Sequence, residues 1–169
     1  MDTCCYIVGK ADPGHQHTVN SSFYFSRGEL TDAINKEDIL NIQVWLEHGD
    51  QTRENIGRVV YSWLARDGLY VIIRLDLDNI RSRAILTWIK NGLLSGLSLG
   101  YSARYDKNYT VQSKKIYEIS VVKTPFHPEC RIDGVFTDDD LVGMSSVFDS
   151  IENDTAEQLK YENLFFLNK

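Results

Sequence analysis

Three side chains in this sequence have the types that hydrolytic chemistry uses, and they lie on separate segments. Ser98 is the centre of GLSLG, His48 lies in LEHGD, and Glu118 lies in IYEISVV. A serine hydroxyl is a weak nucleophile until a base takes its proton. The base is usually a histidine held in one orientation by a third group. Side chains alternate along a strand. Leu97, Leu99 and Tyr101 therefore share one face, and Gly96, Ser98, Gly100 and Ser102 share the other. Glycine in a strand marks close approach of a ligand or another backbone. His48 follows a strand end and is flanked by Gly49 and Asp50, an anchored place for a base. Glu118 interrupts an apolar run and shares a face with Ser120. It is either the wet face of a half-buried strand or a carboxylate that orients a histidine. Asp50 competes for that role but lies close to His48 in sequence.

Other residues offer other chemistry. His15 and His17, in GHQH, could begin a metal site with Cys130, but zinc needs three or four ligands and no metal site is expected. Cys130 could act as a nucleophile beside His127, yet PFHPECRI has no glycine-rich approach for a substrate. The three cysteines, Cys4, Cys5 and Cys130, form an odd, sparse set that suits a reducing compartment.

The elements that must position these residues are short. Cys5 to Gly9 and Ser22 to Phe25 read as strands, and Glu29 to Lys36 as a short helix. Ile42 to Leu46 reads as a strand ending at Glu47-His48-Gly49-Asp50. Ile56 to Ala65 and Leu69 to Leu75 flank Arg66-Asp67-Gly68, a hairpin signal. Ile80, Ala84, Ile85, Trp88 and Ile89 recur at helical spacing between Asn79 and Asn91, with Asp78 or Asn79 as cap and Gly92 as stop. The strand around Ser98 follows, then a turn at Asp106-Lys107-Asn108. Ile116 to Val122 is a further strand, stopped by Pro125 and Pro128. Thr137 with Asp138, Asp139 and Asp140 opens a helix to Glu152, with Leu141, Met144, Phe148 and Ile151 on one face. The expected organisation is one domain over residues 1–153 and a tail over 154–169. Many short strands with few helices indicate a mainly β, α+β fold: an antiparallel β-barrel with helices outside it.

Composition bounds the function. The chain has 169 residues, 43% hydrophobic and 25% charged, enough for a real core. Its net charge of −6 argues against a general nucleic-acid binder. No apolar run approaches the roughly 20 residues of a membrane helix. MDTCCYIVGK lacks the pattern of a secretory leader, so none is expected.

The order and surroundings of these residues resemble the capsid-maturation serine proteases: herpesvirus assemblins and the prohead proteases of tailed phages. CYIVGKAD is similar to the first barrel strand of an assemblin. IQVWLEHGDQTRENIGRVVYSWLARDGLYVIIRLD is similar to the segment with the catalytic histidine and its hairpin. GLLSGLSLGYSARY resembles the nucleophile strand, and IYEISVVKTPFHPECR the strand of the third triad member. The likeness spans about residues 4 to 131.

The resemblance implies Ser98 as nucleophile and His48 as general base. The third position falls on Glu118, as in the phage enzymes, where assemblins use a second histidine; His127 is the alternative. Assemblins carry an arginine pair near the oxyanion. This chain has only the later Arg131, with Lys123 or a backbone N–H as other donors. Gly96 and Gly100 would clear room for the substrate backbone. The implied fold is the herpesvirus-protease barrel ringed by helices, and no cofactor is implied. The implied function is cleavage of scaffold or assembly protein, and of the chain's own precursor, inside an immature capsid. That places it in a host nucleus or a bacterial cytoplasm. A homodimer, with shell proteins as indirect partners, is expected. The rival is a non-catalytic assembly protein that keeps the fold.

Overall fold

Strands this short satisfy their backbone groups only by pairing with one another. The computed structural model describes residues 3–15, 23–49, 53–137 and 140. Its strands are β1 (Cys4–Asp12), β2 (Gln43–Leu46), β3 (Gly57–Ala65), β4 (Gly68–Asp76), β5 (Gly96–Tyr105), β6 (Val111–Val122) and β7 (Ile132–Phe136). Its helices are α1 (Arg27–Asn35) and α2 (Ile80–Lys90). All seven strands join one curled half-barrel sheet in the order β5-β6-β2-β3-β4-β1-β7. The mainly β architecture with peripheral helices is the one expected from the sequence.

The two ends of that order bend towards each other. The Leu97 N–H donates to the Cys130 carbonyl at 3.1 Å, and the Ile132 N–H to Ser95 at 2.9 Å. The Lys10 N–H reaches the Arg131 carbonyl from the other side at 3.1 Å. One short segment before β7 thus links the start of β5 to β1.

Every neighbouring pair is antiparallel except β2 and β6, which run parallel with Gln43 opposite Glu118 and Leu46 opposite Val121. An all-antiparallel barrel is therefore corrected at one ladder. That ladder matters, because it brings the end of β2 alongside the end of β6. On the other side of β6, Ser98 lies opposite Ser120 and Gly100 opposite Glu118.

The inner face is filled by Ile7, Val44, Ile73, Leu97, Ile119 and Val121, with Leu30 of α1 and Ile85 of α2 packed among them. A second cluster on the other face joins Val8, Trp63, Tyr70 and Ile72. Both helices start as the physics of caps requires. Ser26 accepts from the Glu29 N–H while Glu29 accepts from the Ser26 N–H, a capping box. Asn79 accepts from the N–H groups of Arg81 and Ser82.

One expectation fails locally. No strand forms over Phe23–Phe25; Ser26 makes an isolated bridge to His15 and caps α1 instead. β7 has no counterpart among the expected strands; it is held by its antiparallel ladder to β1. The expected helix over 138–152 and the boundary at 153 lie outside the described residues. At its threshold, Asp140 accepts from the Thr137 N–H at 2.7 Å and hydroxyl at 2.9 Å, a helix-start pairing. Among the described residues no helix is long and apolar enough to cross a membrane.

Ile119 is fully buried, between Val44 of β2 and Leu99 of β5. Ile119→Ala is expected to lower unfolding free energy by about 2–5 kcal/mol in urea denaturation. A loss under about 0.5 kcal/mol would contradict this packing.

Candidate active site

β6 carries a carboxylate on the face opposite Ile119. Glu118 is 1% exposed, and a buried charge must be paired and hydrogen-bonded to be tolerable. Its Oε1 lies 2.5 Å from Nδ1 of His48. Its Oε2 accepts the Ser120 hydroxyl at 2.7 Å. The His48 Nε2 lies 2.9 Å from the Ser98 Oγ. A carboxylate only accepts, so the ring proton sits on Nδ1 and Nε2 is left to accept from Ser98. The three residues come from three adjacent strands: Ser98 from β5, Glu118 from β6, and His48 from the turn that ends β2.

That turn has an unusual backbone. Glu47 and His48 both have positive φ, 48° and 56°, a conformation that costs non-glycine residues of order 1 kcal/mol or more. Bonds to β6 hold it. The Glu47 N–H donates to the Val121 carbonyl at 3.1 Å. The Glu47 carboxylate accepts from the Lys123 N–H at 2.5 Å. The His48 N–H donates to the Ser120 Oγ at 2.9 Å. Ser120 therefore touches both His48 and Glu118. The sequence placed Ser120 on the Glu118 face but gave it no role; the only signal was the i, i+2 spacing.

Glu118 pushes the His48 pKa above 6.5, chiefly through the hydrogen bond and then through its charge, while burial opposes. This arrangement can accept a proton from Ser98 and stabilise the resulting imidazolium.

The glycines beside Ser98 have a different cause from the expected one. A Cβ on Gly100 would overlap the Glu118 carboxyl group. A Cβ on Gly96 would lie 2.6 Å from the Pro125 ring. The bare face is filled by the protein itself at both glycines, rather than cleared for a substrate. Ser98 is 6% exposed. It opens onto a cavity of about 190 Å³ that is also lined by Asp12, His48, Tyr101, Phe126 and His127.

The remaining candidates stand outside the Glu118–His48–Ser98 run. His127 lies 3.9 Å from Asp12, while the His48 Nδ1 faces Glu118. Arg131 donates to the Pro128 carbonyl at 2.8 Å and to the Ser95 Oγ at 2.9 Å, which ties its guanidinium to the start of β5. The Cys130 thiol is pushed up to about 12 by burial, so it is not a ready nucleophile. His15 packs edge-on against Tyr24. His17 and Asp50 lie outside the described residues. Among the described residues no group of three metal-capable side chains gathers.

A mainly β half-barrel of this kind is the herpesvirus-protease fold. A Kaposi's sarcoma herpesvirus protease bound to a hexapeptide phosphonate inhibitor superposes with a TM-score of 0.54 at 13% identity, covering 94% of this chain and 74% of that one. The same virus's protease with an allosteric inhibitor gives 0.54 at 13%, covering 93% and 88%. Its complex with a dimer disruptor gives 0.51 at 16%, covering 92% and 85%. Comparison with curated protein sequences gave no match. The family model for the Caudovirus prohead serine protease matches residues 20–145, most of the chain. The chain belongs to that family, and so to the serine peptidases of capsid maturation.

Gly100→Ala is expected to displace the Glu118 carboxyl from His48. In an NMR titration the imidazole midpoint should then fall below the wild-type value. An unchanged midpoint in a folded variant would contradict the packing described.

Proposed function

We propose that this chain is the endopeptidase that cuts scaffold or assembly protein, and its own precursor, inside the immature capsid. The observation that supports this most is the unbroken hydrogen-bonded run from Glu118 through His48 to Ser98, beside a cavity. Ser98 attacks the scissile carbonyl while the His48 Nε2 takes its proton. His48 then protonates the leaving amine, and water hydrolyses the acyl-enzyme by the same route in reverse. Glu118 fixes the tautomer and stabilises the imidazolium; Ser120 holds Glu118 and the His48 backbone together. The Arg131 guanidinium being engaged at Ser95 and Pro128, the oxyanion falls to backbone N–H donors.

Coexpression of the chain with the scaffold protein of its own virus, followed by intact-mass analysis, tests the reading. The wild type should yield discrete scaffold fragments and Ser98→Ala none, while Ser95→Ala retains substantial cleavage. Identical fragments from Ser98→Ala would end the proposal, and an intact scaffold throughout would favour the non-catalytic rival.

Glu118→Gln is expected to lower kcat by about 10²–10⁴, a larger loss than His127→Ala causes. The opposite ranking would move the third role to His127. Because the base acts in its neutral form, kcat/KM should rise with pH through a midpoint above 6.5. Stability has the other sign. A histidine raised by its partner contributes most below pH 6.5, and that contribution is lost as pH rises through the folded-state value.

We also infer that the active form is a homodimer. A herpesvirus protease of this fold has been captured with a dimer disruptor. Specific activity and sedimentation across a dilution series test it: activity per chain should fall as the monomer appears. Constant activity in a purely monomeric sample would contradict it.

A further inference from the structure

Asp12 ends β1 at the wall of the cavity that opens on Ser98. It is 3% exposed, and nothing in the proposed proton transfer uses it. Its Oδ1 accepts from the Gly14 N–H at 2.9 Å. Its Oδ2 faces Nε2 of His127 at 3.9 Å, too far for a hydrogen bond. Burial lowers the His127 pKa, which favours its neutral form. Lys114 acts on Asp12 electrostatically. Its ammonium is bonded to Glu29 at 3.1 Å and to the Tyr24 carbonyl. Among the described residues Asp12 therefore has no cation in contact.

A buried carboxylate without a cation is costly, and a site that leaves a polar group unpaired discriminates strongly for the ligand that pairs it. The cavity is smaller than the roughly 300–1,000 Å³ of small-molecule sites, a size for one side chain. Ala11, Phe23, Tyr101 and Phe126 line it together with Asp12. Apolar lining with one carboxylate suits a chain of methylenes that ends in a cation. The net charge of −6 favours such a peptide at longer range.

We propose that this cavity is the subsite for a lysine or arginine side chain of the substrate next to the scissile bond, and that Asp12 is the residue that selects it. The inference rests on Ser98 being the nucleophile.

Burial pushes the Asp12 pKa up to about 6, against the Gly14 N–H and Lys114, with Glu129 and Glu29 adding to the rise. Besides these, His127, Tyr101 and Cys130 are the titratable groups near it, and burial pushes the last two upward. Selection for a cation should therefore weaken below about pH 6. Effects of His48 ionisation cancel in a ratio of two substrates.

The experiment uses peptidyl diphenyl phosphonates that differ only in the side chain at the reactive end: lysine-, norleucine- and glutamate-like. Modification of the full chain is followed by intact mass, with the adduct mapped to Ser98. The lysine-like probe should react about tenfold faster than the norleucine-like one at pH 7.5, and the glutamate-like one slowest. That ratio should shrink towards one between pH 7 and 5. In Asp12→Asn it should collapse at every pH. Equal rates in the wild type, or a ratio unmoved by both pH and Asp12→Asn, would overturn the subsite. No adduct with any probe would instead overturn the reading of Ser98, and the subsite with it.

Discussion

The buried carboxylate of Glu118 is the constraint on which the site depends. One per cent exposed, it needs partners for both oxygens or its burial becomes a large cost. His48 takes one oxygen and Ser120 the other. The neighbouring strand must then leave room, which makes position 100 a glycine. The parallel ladder between β2 and β6 must deliver the end of β2 to the same level of the sheet. Each of these features is ordinary alone. Together they follow from placing one charged group on the middle strand of three.

The turn at Glu47 and His48 shows how that constraint is met. Two consecutive non-glycine residues in the left-handed region are unfavourable. Their N–H groups go to a β6 carbonyl and to the Ser120 hydroxyl, and the Glu47 carboxylate caps the end of β6. The histidine is therefore fixed at its backbone and at its ring by the same strand. Ser120, opposite Ser98 in the ladder, joins both fixings. Preorganisation of this kind is what proton transfer between side chains requires.

Much of this was legible in the sequence because it rests on local signals. The Arg66-Asp67-Gly68 hairpin, the helix capped by Asn79 and the alternating face around Ser98 each follow from short-range stereochemistry. Ser98, His48 and Glu118 could be singled out by type and setting, and the family resemblance supplied their order. What could not be read depends on partners far along the chain. Gly96 and Gly100 advertise close approach, but Pro125 and Glu118, rather than a substrate, come close. Ser120 looks like any serine on a strand until the turn after β2 docks on it. The parallel pairing of β2 with β6 has no signature in either strand alone. β7 is short, contains Asp133-Gly134, and is held as a strand by its ladder to β1. Asp12 gave no local sign that it would face the same cavity as Ser98.

We propose that Glu118 and His48 together activate Ser98. The most direct measurement is the reaction of the native chain with a small fluorophosphonate, with the adduct located by peptide mapping. A single adduct on Ser98 is expected, absent in His48→Ala and much slower in Glu118→Gln. No adduct, an adduct on Ser95 or another serine, or a Ser98 rate unaffected by His48→Ala would contradict it.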